Sequence, residues 1–101
     1  MSIYKVTKQA LSEISGADEY IACAAKAKAA GDTTTAADYI KMAEMELMHA
    51  ATLYQIADRT MAKARAGEDM SQTAEEMWQE FAADYVRRIA TAKAEIDTIK
   101  K

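Results

Sequence analysis

Apolar residues recur along this chain at intervals of three and four, the spacing that gathers them on one side of an α-helix. Val6, Ala10, Ile14, Ala17, Ile21 and Ala24 form the first such stripe. In the next segment, stepping about 100° per residue brings Tyr39, Met42, Ala43, Ala50, Leu53, Ile56, Ala57 and Thr60 into one broad band. Lys41, Glu44, Gln55, Asp58 and Arg59 take the opposite side, so the segment reads as amphipathic. A third stripe consists of Ala74, Met77, Trp78, Phe81, Tyr85, Ile89, Ala92, Ile96 and Ile99, with Glu76, Glu80, Arg87 and Lys93 mostly outside it.

Glycines punctuate these stripes. Gly31 and Gly67 stand where helix C-terminal caps are expected, because glycine enters the left-handed conformation without steric cost. The spacing predicts a first helix from about Ser2 to Ala30 and a second opening at Thr33-Thr34-Thr35 and ending near Ala66. A third begins near Ser71 or Thr73 and runs to Lys101. Thr35 with Asp38, and Thr73 with Glu76, have capping-box spacing. Gly16 lies within the first helix at a cost of ~1 kcal/mol relative to alanine, which admits a bend or a close neighbouring backbone. The expected fold is all-α, a single domain over 1–101, with residues 1–66 as an antiparallel hairpin and 71–101 as a long C-terminal helix.

Composition adds a constraint on assembly. Of 101 residues half are apolar, none is proline and three are glycine, which favours long uninterrupted helices. A thin bundle of this size buries a limited fraction of its surface, so a homo-oligomer, at least a dimer, is expected. The net charge of -3 is scattered and lacks the basic block that binding to a phosphate backbone requires, so nucleic acid is not an expected partner. Cys23 is the only cysteine, which excludes an internal disulfide and a four-cysteine metal knuckle and fits a reducing compartment. The first residues lack the apolar core of a secretory signal, and no stretch reaches the roughly 18 apolar residues of a membrane span, so no membrane association and a cytoplasmic location are expected.

Candidate chemistry sits in Glu46-Leu47-Met48-His49. A glutamate three residues before a histidine presents both side chains on one helical face, able to offer a carboxylate oxygen and an imidazole nitrogen to one metal ion. Stepping the angle places Glu46 near the centre of the second stripe, where an uncompensated charge is costly. The same pattern is also compatible with a buried, metal-free Glu–His hydrogen bond or with two solvated surface residues. On the first helix, Glu13 lies at the edge of the inner stripe, next to Tyr20. A fold-back about Ala30-Gly31-Asp32 sets residue 13 level with residues 46 to 49, so Glu13, Glu46 and His49 are expected to converge. Glu19 and Glu44 fall away from the inner stripes and Asp18 at a far margin, so all three are expected to be solvated or salt-bridged.

One hairpin supplies a histidine and two carboxylates, whereas a di-iron four-helix bundle takes a glutamate from each of two helices and a Glu-x-x-His from each of the other two. Two chains related by a two-fold axis would complete that set and hold two metals at their interface. Oxygen-rich ligation with some imidazole suits iron or manganese and admits zinc.

These residues resemble the ferritin-like proteins, most closely the encapsulated type built from one two-helix hairpin per chain. The resemblance covers roughly residues 8 to 62. It rests on Glu13 followed seven residues later by Tyr20, and on the Glu46-to-His49 pair. It implies a di-iron centre with Glu13, Glu46 and His49 as metal ligands and ferroxidase activity, the oxidation of Fe(II) to Fe(III) with oxygen. Tyr20 would then be a neighbour of the catalytic site outside the coordination sphere; by its stripe alone it reads equally as an amphipathic core tyrosine. Where encapsulated ferritins flank the ligand glutamate with further carboxylates, this chain has Ser12 and Ser15, and its last residues continue a helix instead of forming a shell-targeting tail. A helical scaffold or interaction protein that keeps the hairpin is the alternative reading. Peroxide reduction of the rubrerythrin kind would need an external electron donor, since the chain has no four-cysteine rubredoxin domain.

Overall fold

The structure is a computed structural model in which residues 3–101 are described. It is all-helical, with α1 over Ile3–Ala29, α2 over Thr33–Ala66 and α3 over Gln72–Lys100. The expected start at Ser2 lies outside the described residues. The helices run up, down and up. Trp78 near the start of α3 packs with Val6 of α1, and Lys28 near the end of α1 donates to the Ile99 carbonyl near the end of α3. The molecule is a rod of 55 × 20 × 16 Å with a radius of gyration of 16.2 Å. A compact chain of this length has about 13 Å, so the elongation leaves an unusually large surface uncovered.

Both turns close with the same hydrogen-bond pattern. At the first, the Gly31 amide donates to Lys28 and the Asp32 amide to Ala27, satisfying carbonyls that the end of α1 leaves free. Gly31 takes φ 81°, as the turn requires. Asp32 then starts α2, its carboxylate accepting from the Thr35 amide at 3.0 Å and the Thr35 hydroxyl at 2.7 Å. The cap is thus Asp32, and Thr35 is the residue it holds, instead of the Thr35–Asp38 box expected from spacing. At the second turn Gly67 remains right-handed and Glu68 takes the left-handed position at φ 58°, with its amide donating to Arg65 and that of Asp69 to Ala64. Ser71 caps α3 by accepting from the Ala74 amide at 3.1 Å, so Thr73 is not the cap.

The buried residues of α1 are Val6, Ala10, Ile14, Ala17, Ile21 and Ala24, the predicted stripe. On α2 the buried line is Ala36, Ile40, Ala43, Leu47, Ala50, Ala57 and Met61. This is rotated by roughly 80° from the band read off the sequence, as 100° stepping shows. Ala43, Ala50 and Ala57 belong to both, but Met42 is 42% exposed and Thr60 is exposed. The cause is α3, which lies along one face of the hairpin and draws Leu47 into a shared core with Ala92 and Ile96. On α3 itself Trp78, Ala92 and Ile96 are buried, and Phe81, Tyr85 and Ile89 are partly so, while Met77 is 59% exposed. Tyr54 of α2 stacks against Tyr85 at 4.2 Å and Phe81 at 5.8 Å, tying the two helices together near their middle. Polar ties hold the periphery. Arg65 grips Glu75 in a bidentate pair through Nε and Nη2 on one edge of its guanidinium, Arg88 reaches Ser15 at 3.0 Å and Asp18 at 3.5 Å, and Lys100 reaches Glu44 at 3.0 Å.

Candidate metal centre

The face of the hairpin opposite α3 carries the candidate chemistry. Asp18, Ala22 and Ala25 of α1, and Glu44, Met48 and Ala51 of α2, line the grooves beside α3. Stepping about 100° per residue puts Glu13, Gly16 and Tyr20 on the far side of α1, and Met42, Glu46 and His49 on the far side of α2. No helix of this chain covers that face among the described residues.

Glu13, Glu46 and His49 meet there, each offering a ligand atom within 4.8 Å of the others. The hairpin register brings this about. Glu13 lies eighteen residues before Gly31 and Glu46 fifteen after it, a near-symmetric spacing that lets antiparallel helices set them side by side. Within α2 the three-residue step places His49 one turn further on the same face. His49 Nδ1 lies 4.0 Å from Glu13 Oε2. Glu13 and Glu46 are half-buried, while the His49 side chain is 57% exposed. The expectation that Glu46 sits in the centre of an apolar stripe is therefore corrected: it stands at the border of the core, because α3 moves the core away from it. That border is where a carboxylate can be held against a neighbouring helix without full loss of solvent.

Gly16 lies beneath the Glu46 carboxylate. A β-carbon at that position would lie 3.5 Å from Glu46 Oε2, so the Glu46 carboxylate rests directly on the bare backbone of α1. The glycine noted in the sequence as admitting a close neighbour thus has one, and the neighbour is a candidate ligand.

Crowding two carboxylates has an electrostatic result. Glu46 holds its proton above the ordinary carboxylate range, chiefly through a hydrogen bond it donates to Glu13, then through burial and the Glu13 charge; His49 opposes the shift. A divalent cation resolves the same crowding by replacing the proton. The donor spacing permits it. Two donors each about 2.1 Å from one ion stand at most about 4.2 Å apart, so the His49–Glu13 spacing already fits, and the widest pair needs to close by only a few tenths of an ångström.

Tyr20 shares the row of Glu13 and Gly16, seven residues and about 10 Å along the axis from Glu13. Its ring centroid lies 6.3 Å from that of Tyr39, and it packs against the core from the edge. Of the competing carboxylates, Asp18 faces Arg88 and Glu44 faces Lys100, both on the α3 side, while Glu19 is exposed. Cys23 is an exposed free thiol on α1. No helix is long and apolar enough to cross a membrane among the described residues. Compared with known protein families, with curated proteins and with solved structures, the chain matches none.

Proposed function

We propose that this chain is a ferritin-like di-iron protein that oxidises Fe(II) with oxygen at a site shared between two subunits. The observation that carries this reading is the convergence of Glu13, Glu46 and His49 on the uncovered face of the hairpin. Two carboxylates and one imidazole are a donor set suited to iron, with manganese and zinc as competitors. Bound Fe(II) supplies the electrons that oxygen accepts. The residues would do the rest: the paired carboxylates of Glu13 and Glu46 would offset the charge gained at Fe(III), and His49 would anchor the metal.

Three donors from one chain leave coordination positions to fill, and the surface around them supports a partner. Tyr20, Tyr39, Met42 and Leu53 flank the triad as partly exposed apolar side chains on the same side. A second copy meeting this face across a two-fold axis would bring two triads together and bury those residues in a four-helix core. The α3 helices would then lie outside that core. Tyr20 stands near enough along α1 to border such a paired site.

The test is anaerobic Fe(II) loading of metal-free protein followed by oxygen, with absorbance, metal analysis and subunit mass read for wild type, Glu46→Ala and His49→Ala. One iron per chain in an even-numbered oligomer, lost in both variants, is the expected result. No stoichiometric iron in the wild type overturns it. The alternative of a non-catalytic helical scaffold draws on the Glu46–Glu13 hydrogen bond, which satisfies the pair without metal; assembly that persists unchanged without any metal uptake supports that reading.

A further inference from the structure

The groove between α1 and α3 is open to solvent, and near the start of both helices it is apolar. Tyr4, Leu11, Met77, Trp78 and Phe81 line a cavity of about 390 Å³ there, with Lys8 at its edge. Tyr4 of α1 is 62% exposed and Met77 of α3 is 59% exposed. Large apolar side chains left together in water mark a surface that another molecule covers. Beyond the tie from Arg88 to Ser15 and Asp18, the same groove is lined by the small residues Ala22, Ala25 and Ala94, which let a further helix come close.

The two rims of this groove carry opposite charge. α1 and α3 run parallel, and the contacts between them join residues 71 to 73 apart, Lys28 with Ile99 and Ser15 with Arg88. Lys8 is therefore level with Glu80, and Lys26 lies within one helical turn of the level of Glu95. Stepping about 100° per residue from the buried stripes sets both lysines on the outer side of α1 and both glutamates on the outer side of α3. All four are exposed, and none belongs to an ion pair among the described residues.

We propose that this groove is a self-docking surface, on which a second copy of the chain seats with the two-fold axis parallel to the rod. That axis sets α1 of each copy against α3 of the other, running in the same direction and at the same level. Tyr4 then meets Met77 of the second copy within a four-helix contact, and Lys8 meets Glu80 of the second copy, twice by symmetry. Turning the second copy end for end sets α1 against α1 instead and brings Lys8 toward Lys26 of the second copy, an arrangement that like charges disfavour. The 27 residues of α1 span about 40 Å and the rod is 20 Å wide, so the contact covers about 800 Å² on each copy, the size of a standard stable interface. Glu13 lies on the side of α1 turned away from this groove. The contact therefore leaves the carboxylate–imidazole triad uncovered and rests on none of the iron chemistry.

The experiment is sedimentation velocity of the full chain in EDTA, over a dilution series and at low and high salt. Wild type is expected to associate reversibly, and less so at high salt because the paired charges are at the surface. Lys8→Glu and Glu80→Lys each put two like-charge pairs into the contact and weaken association by about tenfold or more. Mixing the two variants restores it, because one chain then carries two acidic rims and the other two basic ones. No pairing within a single chain gives that recovery. Both substitutions are at exposed positions, and far-ultraviolet circular dichroism checks that the fold is kept. Single variants that associate as wild type does, or a mixture that stays apart, overturn the proposal. A wild type that is monomeric throughout the series also overturns it and leaves the groove to a different partner. Since no metal is present, none of these results bears on iron binding, and the two readings fail separately.

Discussion

Replacing Glu46 with glutamine should stabilise the metal-free protein and abolish its stabilisation by metal. The two carboxylates have ligand atoms no more than 4.8 Å apart. Like charges at that distance repel by about 1 kcal/mol at the dielectric of water and about 3.5 kcal/mol at an effective value of 20. The pair is half-exposed and screened by solvent, so the lower figure applies. Glutamine keeps the shape and the contact with Gly16, and its amide can donate to Glu13. At pH 7 in chelator, the variant should therefore be more stable by ~1 kcal/mol, on the scale of one unpaired repulsion. The sign with pH follows. Because Glu46 holds its proton above the ordinary value of 4.5, its favourable contribution is complete below that value and is lost as pH rises through the folded-state value. The advantage of the variant should thus vanish at pH 4 and grow toward neutrality. Urea denaturation at several pH values, with and without Fe(II) under argon, measures all of this. With metal at about a hundred times its dissociation constant, wild type gains about 2.7 kcal/mol and the variant gains little. A variant less stable than wild type in chelator at pH 7, or equal metal stabilisation of both, would refute the reasoning, since Glu46 would then be a structural residue and not one held in readiness for a cation.

Further outcomes follow from local geometry. Gly16→Ala should raise stability by about 0.5–1 kcal/mol by thermal or urea unfolding, since the new β-carbon makes only ordinary contact with Glu46 at 3.5 Å; Gly16→Leu should displace Glu46 and remove metal-dependent stabilisation. Glu68→Gly should stabilise by roughly 1 kcal/mol, because a side-chain-bearing residue now occupies the left-handed position at φ 58°. Acidification should lower the urea midpoint through Glu75 and Asp32. Arg65 holds the first below the ordinary carboxylate range and Thr35 the second, so their contributions are present above the ordinary value and lost as pH falls through the folded one. In Glu75→Gln and Asp32→Asn proteins that acid-dependent drop should shrink.

How far the site was legible in the sequence depends on which contacts each residue makes. Glu13, Glu46 and His49 could be brought together on paper, since a helix step and a hairpin turn are both short-range geometry. The environment of Glu46 could not, because it depends on where α3 lies, and amphipathic stepping treats each helix alone. Leu47 was passed over as a core residue for the same reason: it faces α3 as well as α1, outside a stripe drawn for a two-helix core. Asp32 escaped notice as a cap because it also closes the preceding turn, and one residue serving two helix ends leaves only one residue's signal.

The amino-acid sequence by itself determined three helices, their approximate limits, the inner stripe of α1 and the pairing of residue 13 with residues 46 to 49. These follow from periodicity, capping chemistry and chain length, which act over a few turns of one helix or across one short loop. Only the tertiary structure decided which side of the hairpin α3 covers. That choice rests on the packing of Leu47, Ala92 and Ile96 and on the aromatic stack around Tyr54, contacts between residues far apart in the chain. By occupying one face, α3 rotated the core of α2 and left Glu13, Glu46 and His49 on the other, at a border where they are held by neighbouring backbone yet open to a cation.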